Sequence, residues 1–485
     1  MAGKAETRSI ASNTLWMTLA SIAQKVISFG YFWFIAHQLP LETLGLYTFA
    51  LSYTTLFSIG TDIGMASVLV RDGATDRSQL LGLYRRMMRL KVIASAITYG
   101  ALIAVALLVG YGAEKLVLIA IAGVAMVLDS VHLTNYAALR ALHDTRYEAI
   151  GMVGSQALTL VIGGVALTMG APLGFLISAY AISSALNVVW STVRLMRHPE
   201  VVALRKAHAV EAVVSSWTIV QMAFPFALAG IFTRVYASLD AVLLERLAGD
   251  AALGLYSAPY KIAFAFQFIP MALVASLYPL LSHLAAHDRA RIAPVFRAAM
   301  VYLLAIAIPL FAGTVVMGET VLVVLFGAKY SGAGTILSLM MASLIFAFAS
   351  FPVGSVLNAM HKQQVQTMIM GVVMVVNAVL NFLLIPQWGA TGAAIAAVAG
   401  YGVLFVAGSI SMHKIAPIAW RVLWADVARI SVAAMVMAAA LVGMETLAWN
   451  FPVLIRVLIG CVIYGVLFMA VGGVALLRLR SAMSR

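Results

Sequence analysis

A small set of ionisable side chains lies inside long apolar stretches of the sequence: Lys25, Asp62, Asp129, His132, Arg234, Asp240 and Lys261. A charge at the centre of a lipid bilayer costs about 2.5–3.5 kcal/mol on insertion scales, so such residues usually face the interior of a helix bundle. If these stretches cross a membrane, this set contains the side chains available to bind a charged substrate or ion.

The cations of the set, Lys25, Arg234 and Lys261, predict a binding site for an anionic substrate, because ammonium and guanidinium groups donate charge-assisted hydrogen bonds to phosphate and carboxylate. The alternative is that they neutralise the three aspartates in structural ion pairs. Asp129 and His132 lie one helical turn apart, and we expect them either to hydrogen-bond to each other or to relay protons. The aspartates and this histidine are therefore candidates for coupling to H⁺ or Na⁺, or for structural pairing.

The sequence contains no motif for a chemical reaction. It has no GxxxxGK[ST] phosphate-binding loop, no close cluster of Cys, His and carboxylate side chains, and no nucleophile–base motif. We therefore expect a protein that is not an enzyme, is not itself an ATPase and carries no resident cofactor.

The composition excludes a soluble protein. Hydrophobic residues make up 63% of the 485 residues and charged residues 10%, whereas a soluble chain has roughly 45–50% and about 25%. A soluble fold of this composition would expose large apolar patches and aggregate. The apolar stretches are long and continuous, which indicates membrane-spanning helices instead of the short alternating strands of a β-barrel. The predicted fold class is an all-α polytopic membrane protein.

Apolar stretches of about 20 residues or more, long enough to cross a bilayer, predict about fourteen transmembrane helices. They lie at 10–36, 44–70, 90–110, 116–139, 149–169, 173–196, 217–243, 255–282, 298–317, 332–358, 367–385, 392–412, 427–448 and 453–477. In the loop 71–89, an apolar stripe of Leu80, Leu81, Tyr84 and Met88 predicts a helix lying on the membrane surface. The alternative for this loop is a solvated segment.

Short sequences recur in the same order along the two halves of the chain. LGLY at 44–47 returns at 253–256, DRSQLLGLYR at 76–85 resembles DRARIAPVFR at 288–297, ALH at 141–143 resembles AMH at 359–361, and MGAPLG at 169–174 resembles WGATG at 388–392. The separations of 209, 212, 218 and 219 residues drift slowly, as small insertions between two copies would produce. Six predicted spans separate equivalent points, so both copies share one orientation about a pseudo-two-fold axis along the membrane normal.

This repeat predicts two six-helix lobes around a central cavity, at 1–200 and 212–412, followed by two further helices and a cytoplasmic tail in 413–485. Lys25 and Arg234 are 209 residues apart, the same separation as the two LGLY copies. Each lobe therefore has a cation at the equivalent position of its first helix. Two like-oriented bundles that face one another suit alternating access, in which rocking of the lobes opens the cavity to one side and then to the other.

Basic residues indicate the orientation. With an internal N-terminus, most of the 31 Lys and Arg residues fall in inner loops, among them the run 85–91, whereas outer loops carry only Lys115, Arg246 and Lys329. The positive-inside rule therefore predicts that both termini are cytoplasmic. Because the net charge of +13 follows this topology, it does not indicate nucleic-acid binding.

Four stretches carry a family resemblance: NTLW at 13–16, GTDIGMASVLVRDGA at 60–74, SLDAVLLERLAGDAALGLYSAPYKI at 238–262 and NAVLNFLLIPQWGATGAAIA at 377–396. With them, nearly the whole chain resembles the Wzx-type flippases of lipid-linked oligosaccharides. These belong to the multidrug/oligosaccharidyl-lipid/polysaccharide transporter superfamily, together with the lipid II flippases and the MATE drug exporters.

The resemblance implies two six-helix lobes around a central cavity, with fourteen helices in the lipid II and polysaccharide branches. It also implies that cavity cations engage the pyrophosphate and acidic sugars of an undecaprenyl-linked glycan, a role for which Lys25, Arg234 and Lys261 are suitably placed. No ion-binding motif of the superfamily matches residue by residue.

We therefore expect a secondary transporter in a cell inner membrane that flips an undecaprenyl-pyrophosphate-linked oligosaccharide for surface polysaccharide biosynthesis, such as exopolysaccharide or O-antigen, beside other assembly proteins. The first alternative is a MATE-like exporter of small cationic compounds, which shares the fold but would require an acidic cavity. The second is a membrane glycan polymerase or ligase, against which the shortness of the outer loops argues. A scaffold without transport activity is the remaining alternative.

Overall fold

The computed structural model describes the backbone of residues 2–206, 215–413, 418–447 and 451–470, and these residues are helical with no β-strand. The predicted all-α class is therefore confirmed. The first helices are α1 (Ala2–Gln38), α2 (Leu41–Asp62), α3 (Met65–Thr75), α4 (Leu80–Val109), α5 (Ala113–Ala141), α6 (Arg146–Thr168), α7 (Leu173–Met196), α8 (Pro199–Lys206) and α9 (Ser216–Ala248). They are followed by α10 (Asp250–Phe266), α11 (Phe268–His287), α12 (Ile292–Phe326), α13 (Gly334–Ala359), α14 (Gln363–His413), α15 (Trp420–Thr446) and α16 (Val453–Phe468).

The chain folds as two compact units, Met1–Val242 and Leu243–Arg485. The division between the units falls within α9, whereas the sequence repeat places it between 200 and 212, and the lobe boundaries remain a prediction. The tail predicted at the end of 413–485 lies beyond residue 470 and so outside the described residues.

The protein is a multi-pass membrane protein. Eleven helices in the described ranges are long and apolar enough to cross a membrane, and the bent pair of α2 and α3 can form a twelfth span. The predicted spans 367–385 and 392–412 both lie in the 51-residue α14, on either side of the non-helical Gly389. Within the predicted span 453–477, the structure describes the shorter apolar helix α16. This arrangement is compatible with fourteen crossings, and that number remains a prediction.

The second predicted span, 44–70, is wrong as one continuous helix. It breaks after Asp62, where Ile63 and Gly64 have φ of 48° and 73°, and the next helix leaves at a bend of 40°. Glycine adopts a positive φ without the clash that a Cβ would cause. Gly64 also provides space, because a Cβ there would lie 2.7 Å from the carbonyl oxygen of Ala223 in α9.

The surface helix predicted in the loop 71–89 is also wrong. Leu80, Leu81 and Tyr84 lie in the first turns of the 30-residue α4 and are at most 8% exposed. They pack with residues of α3, α5 and α7 in the core of the first unit, and Met88 packs against that core. An interfacial helix and the start of a buried helix look alike in sequence, because both combine one apolar face with basic residues.

The core of the second unit is formed by residues of α11 to α15. A smaller cluster contains Met317 of α12 and Met437 and Leu441 of α15, with Tyr464 of α16 packed against it. The Tyr464 hydroxyl donates a hydrogen bond to the carbonyl oxygen of Ala305 in α12 at 2.7 Å. The last two described helices are therefore packed against α12.

Local conformations recur at equivalent positions of the sequence repeat. His143 follows α5 and His361 follows α13, and both have φ of 58°. Single 3₁₀ turns at Arg77–Gln79 and Arg289–Arg291 each precede a long helix. Such paired conformations are what two copies of one supersecondary unit produce.

Candidate functional site

Asp62, at the end of α2, pairs with a lysine that the charge pattern places in a loop. Nζ of Lys91 donates hydrogen bonds to Oδ1 of Asp62 at 2.6 Å and to the carbonyl oxygen of Ser130 at 2.8 Å. The Lys91 side chain is fully buried, and that of Asp62 is 22% exposed. The pair therefore joins α2, α4 and α5 inside the first unit.

The prediction that Lys91 belongs to an inner loop is wrong, and its helical register contains the signal that places it inside. Met87, Lys91, Ser95 and Thr98 recur every three or four residues along α4, and all four are buried. Recurrence at that interval indicates one helix face. The exposed arginines that precede Lys91 obscure this face, because the charge pattern treats all of these cations as one basic run.

Asp129, on α5, presents a carboxylate that is 49% exposed. Its Oδ1 accepts a hydrogen bond from the Ser184 hydroxyl on α7 at 2.5 Å and lies 3.0 Å from Nε2 of His132. Nδ1 of His132 is buried and has no hydrogen-bond partner among the described residues. An imidazole and a carboxylate at this distance can exchange a proton, so the structure gives a defined geometry to the predicted relay without testing it. The contribution of Ser184 could not be read from the sequence.

Arg234, on α9, contacts a neutral side chain. Its Nη1 donates a hydrogen bond to Oγ of Ser58 in α2, and the Ser58 hydroxyl donates in turn to the carbonyl oxygen of Thr55 at 2.7 Å. Over the part of the chain that the structure describes, Arg234 forms no ion pair. Its positive charge is therefore not cancelled by a neighbouring carboxylate.

Asp62 and Asp129 have partners other than Arg234, and the alternative that the cations neutralise the aspartates in structural ion pairs remains a prediction. Asp62 is bound to Lys91, and Asp129 is hydrogen-bonded to α7 and within α5. Lys25, on α1, is partly exposed, and Arg234 forms no ion pair with either of these two acids in the described part of the chain. Arg234 is thus separate from the Asp62 and Asp129 sites.

The remaining candidates lie near the end of the first unit and in the second. Asp240 is 8% exposed, and its Oδ1 accepts a hydrogen bond from the backbone nitrogen of Ala241 at 2.8 Å. Lys261 lies on α10 in the second unit and is partly exposed. The roles predicted for these residues in substrate binding or ion coupling remain predictions.

A family model described as polysaccharide biosynthesis protein matches residues 10–285, which is more than half of the chain. The chain belongs to this family. A second model, MatE, matches residues 225–383. The resemblance noted in the sequence, to a superfamily with polysaccharide and MATE branches, is confirmed by these two matches.

Two curated relatives from Haloferax volcanii are similar to parts of this chain. "Probable flippase AglR" is 27% identical over 165 residues, 33% of this chain and 34% of the relative. "Probable low-salt glycan biosynthesis flippase Agl15" is 21% identical over 233 residues, 48% of each chain. The chain thus matches less than half the length of either relative.

Solved structures are similar to this chain over much more of its length. A structure described as "Lipid II flippase MurJ, inward closed conformation" covers 94% of this chain and 98% of its own, with a TM-score of 0.71 and 14% identity. An inward-facing multidrug resistance MATE family transporter covers 81% of this chain and 95% of its own, with a TM-score of 0.65 and 13% identity. At such low identity these similarities show a shared fold.

Proposed function

We propose that this chain is a secondary transporter that flips a polyprenyl-pyrophosphate-linked oligosaccharide across the cell inner membrane, for surface polysaccharide biosynthesis. Membership of the polysaccharide biosynthesis family and the flippase names of both curated relatives support the proposal. The fold shared with MurJ over 94% of the chain supports it further. We also propose that both termini are cytoplasmic and that the transporter works beside other assembly proteins.

The structural observation that carries the proposal is the environment of Arg234. Its Nη1 donates to a serine hydroxyl, and over the described residues no carboxylate cancels its charge. A guanidinium has five donors in a planar fork, and one hydrogen bond to Ser58 leaves the others for the pyrophosphate of a substrate. Lys25 and Lys261 are the proposed additional cations for the pyrophosphate and acidic sugars.

Transport would proceed by alternating access, and coupling to H⁺ or Na⁺ would drive it. One elementary charge crossing the membrane potential supplies about 2.3 kcal/mol per 100 mV. Asp129 and His132 are the proposed proton carriers, since the carboxylate is half-exposed and lies 3.0 Å from the imidazole.

A MATE-like exporter of small cationic compounds is the second candidate, because the MatE model matches residues 225–383. Such a substrate would need exposed acids that lack cationic partners. In the first unit, Lys91 neutralises Asp62 and Arg234 keeps its charge. The half-exposed Asp129, whose partners are Ser184 and His132, is the acid that such an exporter would use. Membership of the polysaccharide biosynthesis family and the flippase names of the relatives favour the anionic substrate.

The test is a flipping assay in proteoliposomes with a fluorescent undecaprenyl-pyrophosphate oligosaccharide, in which a membrane-impermeant quencher reports the leaflet. We expect Arg234→Ala to lower the flipping rate at least about tenfold, since a charged hydrogen bond contributes roughly 1.5–3 kcal/mol. Arg234→Lys should keep part of the rate. Arg246→Ala, an exposed arginine at the end of the same helix, is the matched control and should flip normally.

Two outcomes would contradict the proposal. Normal flipping by Arg234→Ala would remove this residue from the substrate site. Failure of the wild-type protein to flip the lipid, together with gradient-driven movement of a small cationic dye, would favour the exporter.

A further inference from the structure

The first turn of α6 contains a buried glutamate that the proposed function does not use. Glu148 is 4% exposed, and its Oε2 is buried without a hydrogen-bond partner among the described residues. Nε of Arg140, in the last turn of α5, lies 3.4 Å from this oxygen and forms an ion pair with it. A buried carboxylate oxygen without a donor is unfavourable, so a proton taken up at this atom would remove an unsatisfied acceptor.

Four side chains of α5 form one polar face that leads from inside the membrane span toward Glu148. Asp129, His132, Tyr136 and Arg140 follow one another at intervals of three or four residues, the spacing of a single helix face. Eleven residues separate the first from the last, about 16 Å along the axis. The ring centroids of His132 and Tyr136 lie 5.6 Å apart. This face therefore connects a half-exposed carboxylate with the end of the helix.

The helix α6 packs closely against this face. A Cβ at Gly151, one turn after Glu148, would overlap the Tyr136 hydroxyl. That hydroxyl donates its proton to Oδ1 of Asn187 on α7 at 2.5 Å, so it does not donate to the glutamate. The titratable and charged groups that interact electrostatically with Glu148, over the side chains that the structure describes, are His132, Tyr136 and Arg140.

His132 has an unsatisfied nitrogen on the side away from Asp129. Its Nε2 lies 3.0 Å from Oδ1 of Asp129, whereas its Nδ1 is buried and has no hydrogen-bond partner in the described ranges. Since neither this nitrogen nor Oε2 of Glu148 has a partner in that part of the chain, the two atoms do not bond to each other directly. One water that hydrogen-bonds to both would satisfy each of them, as buried waters do for otherwise unsatisfied polar groups.

We propose that Glu148 is a second proton-carrying group, which receives protons from Asp129 through His132 and a bridging water. The proposal rests on the proposed coupling of transport to H⁺. The protonated Asp129 carboxyl gives its proton to Nε2 of the neutral imidazole, Nδ1 releases its own proton to the water, and the water passes a proton to Oε2 of Glu148. Asp129 is then a carboxylate, Glu148 a carboxylic acid and His132 the other neutral tautomer, so one proton has moved and the net charge is unchanged.

Arg140 provides the exit of this path. The 3.4 Å separation in its pair with Glu148 exceeds the roughly 2.7–2.9 Å of a strong charge-assisted hydrogen bond, whereas Lys91 and Asp62 approach to 2.6 Å. The Arg140 side chain is 37% exposed, so it can turn toward water when a proton on the carboxylate cancels the ion pair. Loss of this proton to water at the end of α5 restores the pair.

The first test is the flipping assay, with rates compared in the presence and absence of an imposed pH gradient. We expect Glu148→Gln, whose amide cannot take up the proton, to abolish the effect of the gradient, and Glu148→Asp to restore part of it. Glu114→Gln, at an exposed glutamate in the first turn of α5, is the matched control and should respond like the wild-type protein. His132→Gln/Glu148→Gln should lose no more than either single variant, since groups in one path are not additive.

Arg140 separates proton uptake from stability. Arg140→Gln breaks the same ion pair but keeps the Glu148 carboxyl group, so the effect of the gradient should persist although thermal stability falls. Arg140→Gln/Glu148→Gln leaves no unpaired charge and should be more stable than Arg140→Gln, yet show no effect of the gradient. The proposal is overturned if Glu148→Gln still responds to the gradient. It is also overturned if Arg140→Gln loses the response as completely, because the ion pair alone would then account for it.

A measurement without substrate distinguishes this proposal from the proposed function. Infrared difference spectra of the purified protein between high and low pH report the C=O band of each carboxyl group that takes up a proton, and the band position separates buried from exposed groups. We expect a buried-carboxyl band that disappears in Glu148→Gln and persists in Glu114→Gln. If the wild-type protein flips no lipid but shows this band, the proposed substrate is wrong and the proton site stands. Absence of the band overturns the proton site whatever the protein transports.

Discussion

Nζ of Lys91 lies 2.6 Å from Oδ1 of Asp62, and the lysine side chain is fully buried. The carboxylate belongs to the last residue of α2, directly before the break at Ile63 and Gly64. The ion pair therefore ties the end of this broken span to α4, and the third partner, the carbonyl oxygen of Ser130, extends the connection to α5.

Removing one partner of this pair should destabilise the protein. Lys91→Met leaves the Asp62 carboxylate without its cation, and breaking a buried pair costs about 3–5 kcal/mol. The double variant Lys91→Met/Asp62→Asn leaves no unpaired charge and should recover most of that loss. Unfolding of the purified protein, followed in a double-mutant cycle, measures the coupling.

The exposed pair of Arg77 and Glu200 is the control for this cycle. Its atoms approach to 3.0 Å, but the side chains are 44% and 41% exposed. Exposed pairs contribute about 0–1 kcal/mol, so Arg77→Met should be nearly neutral. Equal losses from Lys91→Met and Arg77→Met would show that burial of the first pair has no energetic consequence.

Gly64→Ala should destabilise the protein more than Gly110→Ala. Both glycines have a positive φ, 73° and 82°, so alanine introduces backbone strain of about 1 kcal/mol at each. Only at Gly64 does the added Cβ approach a backbone, the carbonyl oxygen of Ala223 at 2.7 Å, whereas at Gly110 it has no atom within 4 Å. The difference in Tm between the two variants measures the cost of the contact with α9. A difference of zero would mean that α9 shifts away from the added Cβ without a measurable loss of stability.

Asp129→Asn should remove any dependence of transport on a pH gradient while allowing equilibration of the substrate. The amide cannot take up a proton from His132, although it can still hydrogen-bond to it. Ser184→Ala is the matched variant, since it removes the 2.5 Å hydrogen bond to Asp129 and keeps the carboxylate. Flipping rates with and without an imposed pH gradient provide the measurement. A gradient effect that persists in Asp129→Asn would assign coupling to another group.

Asp426→Asn should loosen α15. Its carboxylate lies 2.6 Å from Nη2 of Arg297 on α12 and 3.6 Å from Nη1 of Arg429. The Asp426 side chain is 12% exposed, so we expect a loss of about 2 kcal/mol, between the values for exposed and buried pairs. Arg429→Gln, at a residue 56% exposed, is the control and should change stability by less than about 0.5 kcal/mol. Limited proteolysis measures the loosening of α15, and thermal unfolding measures the loss of stability.

Hydropathy was sufficient to predict the membrane class and the helical fold. A bilayer provides no water to pair backbone groups, so long apolar stretches must form helices wherever they fall in the chain. Because the apolar stretches coincide with the helices, the ends of α5, α6 and α7 lie within several residues of the ends of the predicted spans. The family could also be predicted, because short stretches such as 238–262 keep their order and spacing.

Side-chain pairing was decided by the tertiary structure. Asp62 and Lys91 are 29 residues apart, and Ser58 and Arg234 are 176 apart, so no local pattern predicts either contact. Hydropathy averages over all faces of a helix, and it could not show that Lys91 lies on the buried face of α4. Which faces meet depends on how the helices pack, and that packing determines which charges inside the membrane are neutralised and which remain available to a substrate.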